Sequence, residues 1–155
     1  RDAGFSLVLI SNLHKLSMQN LSVQSVTQFS ATLDNVPGSI AKVSGALAAS
    51  GVSVVGFSQM PESGGRVRFV VDQPAAAQKV FAAANVVVSE EEILSVVCPQ
   101  DRAGVMAAFS KALADAGVNI EGIYYSSAGA KSETVVYIQT KKADVAKATE
   151  VIKAL

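Results

Sequence analysis

Residues 38–57 of this 155-residue chain return 66 positions later as residues 104–123, with nine identities in twenty aligned positions. Gly38 falls on Gly104, Leu47 on Leu113, Gly51 on Gly117, Val52 on Val118 and Gly56 on Gly122. The apolar spacing repeats as well, since Ile40, Val43 and Leu47 map onto Met106, Phe109 and Leu113. Residues at i, i+3 and i+7 share one face of a helix, so each copy places an amphipathic helix at the same point. The chain must therefore fold as two versions of one unit, and each version must be short. A unit of that size buries a marginal core when it stands alone.

The first copy reads in order. Phe29, Ala31 and Leu33 alternate with Ser30 and Thr32, as a strand with one buried face does. Pro37 suits the first turn of a helix, where a missing N–H is no loss, and Gly51 suits the left-handed cap that ends it. Val52–Gln59 and Val67–Val71 read as strands around a Pro61–Gly65 turn, Ala75–Ala84 as a helix behind Pro74, and Val86–Val88 as a closing strand. Glu90–Glu92 reads as an acidic, solvated hinge. Beyond it Ile93–Cys98, Ala103–Ala116, Val118–Tyr125, Thr134–Thr140 and Ala143–Ala154 give strand, helix, strand, strand, helix. The second copy ends without room for a last strand. Past the Pro61–Gly65 turn the best offset becomes 68, pairing Val67 with Val135 and Phe69 with Tyr137.

The expected fold class is α+β, with two ferredoxin-like βαββαβ units whose antiparallel sheets carry both helices on one face. The domain limits are 1–24 as an extension, 25–89 as the first unit and 90–155 as the second. Met18 is a candidate start, with residues 1–17 as upstream sequence. The second unit's missing strand exposes a sheet edge that must be covered, by the N-terminal segment or by a second subunit.

Composition removes several classes of function. Lys plus Arg and Asp plus Glu number 13 each with no basic run, which argues against nucleic acid as a partner. One cysteine, Cys98, and one histidine, His14, make neither a disulfide nor a zinc site, so no metal or cofactor is expected. Cys98 at a strand end reads as a buried small apolar residue, and the lone thiol fits a reducing, cytoplasmic compartment. The apolar run Leu7–Ile10 is far too short to span a membrane. Hydrophobic residues make up 50% of the chain, enough for a core and an interface, which favours a homodimer. Gly56 and Gly122 suggest close packing or a bulge, and Tyr124 and Tyr125 ordinary sheet burial.

The strand-to-helix turn carries the functional expectation. Its backbone N–H groups lack intrahelical partners and sit at the positive end of the helix dipole, where a carboxylate is stabilised. With Asn35-Val36-Pro37-Gly38 and Gly51-Val52-Ser53-Val54 in one copy, and Asp101-Arg102-Ala103-Gly104 and Gly117-Val118-Asn119-Ile120 in the other, the chain from about residue 25 onward resembles tandem ACT domain proteins. That resemblance implies a small ligand, most often an amino acid, bound where ACT units meet. The implied contacts are Asn35, Pro37, Gly38, Ser39, Ile40, Ser53 and Val54, and then Asp101, Ala103, Gly104, Val105, Met106, Asn119 and Ile120. Asn35 stands where the family has Asp, and Ala103 where it has Pro, so the two sites are expected to differ.

Enzyme readings fail on missing parts. A nucleophile needs a base, and His14 is the only histidine. Acylphosphatases of the same topology need a phosphate-cradling loop beside an Arg, and RNA-binding versions need sheet aromatics on two strands. The expectation is a non-catalytic regulator acting through a protein partner or ligand-dependent association. The alternative is a structural module that oligomerises and keeps vestigial pockets.

Overall fold

The computed structural model describes residues 20–60, 64–100, 103–127, 129 and 132–155. Six strands and four helices alternate along them: β1 Ser22–Thr32, α1 Ser39–Ala49, β2 Val54–Gln59, β3 Arg66–Val71, α2 Pro74–Ala83, β4 Val88–Cys98, α3 Val105–Asp115, β5 Gly122–Ser127, β6 Thr134–Gln139 and α4 Val145–Lys153. The fold is α+β with antiparallel sheets of the ferredoxin type. Two compact units divide it, one of Val26–Glu92 and one of Ile93–Leu155 together with residues 20–25.

In the unit Val26–Glu92 the strands lie in the order β2-β3-β1-β4, with Phe29 opposite Phe69 and Phe57 opposite Phe69 on its other side. One sheet face, carrying Phe29, Ala31, Val67, Phe69 and Val71, packs on Val43 and Leu47 of α1 and on Ala77 and Phe81 of α2. Phe81 meets the Phe29 ring at 5.2 Å and the Phe69 ring at 5.9 Å. Each ring removes a large apolar area from water, the main stabilising term in so small a unit. Gly56 sits at a β-bulge, where the pairing of β2 with β3 slips between Val54 and Gly56.

The second unit has the order β1-β4-β6-β5, with Leu94 opposite Ile138 and Ile123 opposite Ile138. Its helices α3 and α4 cover Leu94, Val96, Cys98, Val136 and Ile138. The strand missing from its end in sequence is replaced by the start of β1, and Leu21 and Val23 pack against this core. Among the described residues no helix is long and apolar enough to cross a membrane, and no group of three His, Cys, Asp or Glu could hold a metal.

Five readings of the sequence need correction. Glu90–Glu92 do not form a hinge but lie inside β4, where Glu91 is half-buried and accepts from Gln28 Nε2 at 2.8 Å. The buried Gln28 needs that acceptor, so strand β1 is buried on both faces near Phe29 rather than on one. Val86 and Val87 are not a strand. Asn85 turns left-handed at φ 55°, and Val86 N–H closes α2 on the Phe81 carbonyl at 2.9 Å. The strand offset of 68 is also wrong by one. Phe69 faces the helices, but Tyr137 faces away from them beside Tyr124, at a ring distance of 5.1 Å, and burial pushes its pKa up. The residue that replaces Phe69 is Ile138, an offset of 69, because a one-residue slip moves a side chain to the other face. Tyr125 is exposed rather than buried. Cys98 is fully buried, as its position suggested.

Candidate functional site

The turn before α1 is built by one backbone angle. Gly38 is the N-cap at φ 95°, a left-handed conformation that costs a residue with Cβ about 1–2 kcal/mol. Pro37 therefore lies in the turn ahead of the helix and not in its first turn, and Ser39 is the first helical residue. Lys42 N–H makes the first helical hydrogen bond, to Gly38 O at 2.9 Å. No side chain caps this end. The N–H groups of Ile40 and Ala41, in the first turn, have no acceptor within the helix and sit at the positive end of its dipole.

A cleft of about 360 Å³ opens at this helix end, lined by Leu33, Asp34, Asn35, Val36, Pro37, Gly38, Ser39, Ile40, Ala41 and Gln59. Its walls combine apolar Leu33, Val36, Pro37 and Ile40 with polar Asp34, Asn35, Ser39 and Gln59. That mixture is the kind of lining that suits a small molecule with an apolar part and a polar end. Five residues named from the sequence, Asn35, Pro37, Gly38, Ser39 and Ile40, line it together. Ser53 and Val54 do not line it. Ser53 is held elsewhere, its N–H donating to Asp72 Oδ1 at 2.9 Å and its carbonyl accepting from Asp72 N–H at 3.1 Å. Asp34 and Gln59 were missed. Asp34 was legible as the neighbour of Asn35, and it supplies the carboxylate that Asn35 lacks; Gln59 comes from a strand end that no local motif marks.

The corresponding end of α3 has the same frame. Gly104 is the N-cap at φ 100°, Ala108 N–H bonds Gly104 O at 2.9 Å, and again no side chain caps the helix. Both helices also carry the same inner bond, Ser44 Oγ to Ile40 O at 2.9 Å and Ser110 Oγ to Met106 O at 2.8 Å. The lining differs. Val105 is buried in the core of its unit, and Met106 and Ile120 pack against that core. Ala103 and Asn119 are exposed, and Asp101 lies outside the described residues.

Both first helices end in one motif. Gly51 N–H bonds Ala48 O at 3.0 Å and Val52 N–H bonds Leu47 O at 3.0 Å. The counterparts are Gly117 to Ala114 at 2.9 Å and Val118 to Leu113 at 2.8 Å. This is the Schellman arrangement, in which a left-handed Gly lets the chain bond back across the last turn.

The model of the ACT domain family matches residues 93–155. No curated protein matches the chain. Among solved structures, a protein from Bacteroides thetaiotaomicron is similar over 85% of this chain and 89% of its own, at 24% identity and a TM-score of 0.73. The ligand-free regulatory subunit of aspartate kinase from Thermus thermophilus is similar over 89% of this chain and 97% of its own, at 21% identity and a TM-score of 0.62. Aspartokinase III of E. coli, in complex with lysine and aspartate, is similar over 88% of this chain but only 32% of its own, at 17% identity and a TM-score of 0.59.

Proposed function

Residues 93–155 are an ACT domain, and we propose that this ACT-domain chain is a non-catalytic, cytoplasmic regulator that binds an amino acid at the N-terminus of α1. The observation that carries the reading is the cleft of about 360 Å³ over an uncapped helix end. The Ile40 and Ala41 N–H groups receive the ligand's carboxylate, since an anion at a helix N-terminus meets both free donors and the dipole. Asp34 and Asn35 accept from its ammonium group, and Val36 and Ile40 meet its side chain. The similarity to a regulatory subunit of aspartate kinase, and to part of an aspartokinase in complex with lysine and aspartate, supports a ligand-responsive role.

A thermal-shift screen with the twenty amino acids tests this. One of them raises the transition in proportion to RT ln(1 + [L]/Kd), about 2.7 kcal/mol at a hundredfold excess over Kd. Gly38→Asp abolishes the shift by placing a carboxylate and a Cβ at the anion position, while Asp34→Asn weakens it about tenfold. If the shift survives in Gly38→Asp with the fold intact, the assignment to this cleft is wrong. Gly104→Asp examines the α3 end in the same way and decides whether Asp101, Ala103 and Asn119 take part.

A second reading has its own observation. The edge strand β2 exposes Val54, Val55 and Phe57, and Met60 just beyond its end is exposed as well. Such an edge pairs readily with another strand, which supports a homodimer or a pure assembly module. A flat response to all twenty amino acids, with a dimer in solution that Phe57→Lys dissociates, leaves the assembly reading in front.

A further inference from the structure

Strand register brings a polar side chain to the α1 cleft. On β2, Phe57 lies opposite Phe69 and Gln59 opposite Val67, and Val67 and Phe69 are wholly buried on the helix side of the sheet. Side chains two apart on a strand share a face, so Gln59 follows Phe57 on that side. Phe57 meets the Phe69 ring there at 5.3 Å. One pair further on β2 ends, and Gln59 lines the cleft instead of joining the core. Its side chain, like those of Asp34, Asn35 and Ser39, makes no hydrogen bond or ion pair among the described residues. Among the described residues that line the cleft, Asp34 alone carries a charge.

Resting on the reading of this cleft as an amino-acid site, we propose that Gln59 is its specificity-determining residue and selects a carboxamide side chain, that of glutamine or asparagine. The ligand's own carboxylate and ammonium group use the helix N–H groups and Asp34, which leaves no charged partner in the lining for a third charge. A second carboxylate, as in glutamate, faces Asp34 with no cation to offset it. A second ammonium group, as in lysine, competes with the first for one carboxylate. An apolar side chain takes water from the Gln59 amide and returns no hydrogen bond. A carboxamide answers the amide on both sides, because Gln59 Nε2 donates to the ligand's oxygen and Gln59 Oε1 accepts from its nitrogen. A hydroxyl replaces only one of those bonds. The two copies of the unit diverge at this position. Tyr125 stands 66 residues after Gln59, opposite Val136 as Gln59 is opposite Val67, and it is 56% exposed. The α3 end therefore has a phenol where the α1 cleft has an amide, and it does not share this selectivity.

The test is a titration of the full chain with L-glutamine and L-asparagine, followed by amide chemical shifts, with L-glutamate, L-lysine and L-norleucine as comparisons. Saturable shifts are expected with a carboxamide amino acid at Asn35–Ile40 and Gln59, and not at Gly104–Met106. The better of the two is expected to bind about tenfold tighter than norleucine or glutamate. Gln59→Leu, at the exposed end of an edge strand, removes the preference over norleucine and leaves the urea midpoint unchanged. Gln59→Lys reverses the order of glutamine and glutamate, a result that a merely structural role for Gln59 does not produce. The proposal is overturned if glutamate, lysine or norleucine binds as tightly as both carboxamides, or if Gln59→Leu keeps the preference. When another amino acid shifts Asn35–Ile40 and neither carboxamide does, the cleft stands and this selectivity falls. When none of the twenty amino acids shifts those residues, both fall.

Discussion

The two units solve one packing problem with different side chains. In Val26–Glu92 the sheet presents Phe29 and Phe69, the second helix adds Phe81, and the first helix answers with the smaller Val43. In the other unit the same places hold Leu94, Ile138, Ile152 and Phe109. Aromatic volume has moved from sheet and second helix to the first helix. The backbone frame hardly changes, as Gly38 and Gly104 differ by only 5° in φ at 95° and 100°. Side-chain volumes can be exchanged as long as their sum fills the space between sheet and helices, whereas a left-handed cap has no substitute for glycine.

That contrast is open to attack first at the rings. Phe81→Ala is expected to cost about 3–5 kcal/mol, because it strips contacts from both Phe29 and Phe69 and leaves a cavity. Phe109→Ala is expected to cost about the same, with its loss falling on aliphatic neighbours. Urea unfolding measures both.

The caps come next in size. Gly38→Ala and Gly104→Ala should each cost about 1–2 kcal/mol, and by nearly equal amounts, since the strain is set by φ. At Gly38 a new Cβ would meet nothing within 4 Å, so the cost there is conformational alone. A difference well above 1 kcal/mol between the two variants would show that one turn relaxes and the other does not. The same measurement bears on the proposed carboxylate site, which depends on the left-handed turn being kept.

Much of this was legible, and the limits follow from which interactions are local. The glycines, the Pro74 start of α2 and the helix faces are set within one turn of chain, so the repeat exposed them. The α1 cleft was visible for the same reason, through Asn35, Pro37 and Gly38. What failed depended on distant partners. Glu91 reads as a solvated charge until Gln28, 63 residues away, is placed beside it. Tyr137 aligned with Phe69 because both are aromatic, yet strand register decides the face and register is fixed by pairing with β4 and β5. Gln59 reaches the cleft only because β2 ends beside the α1 turn.

Strand ends give the smallest and sharpest comparison. Just past the end of β1 in the first unit, Leu33 N–H bonds Gly65 O at 3.0 Å, and a Cβ on Gly65, which has φ 84°, would overlap the Leu33 carbonyl. The equivalent place in the second unit pairs Cys98 with Thr134, and no glycine is needed. Gly65→Ala therefore combines a left-handed strain with a backbone clash and should cost about 2–4 kcal/mol. Thr134 offers the reverse. It is 1% exposed, and its Oγ1 is buried with no partner among the described residues. A buried hydroxyl without a hydrogen bond has lost its water and gained nothing for it. Thr134→Val keeps the shape and the β-branch of the strand, and so should be neutral or stabilise the chain by up to about 1 kcal/mol. Denaturation midpoints of the two variants read this directly. A loss of more than about 1 kcal/mol in Thr134→Val would mean that its hydroxyl is bonded in solution, and the pair of strand ends would then differ in polarity as well as in spacing.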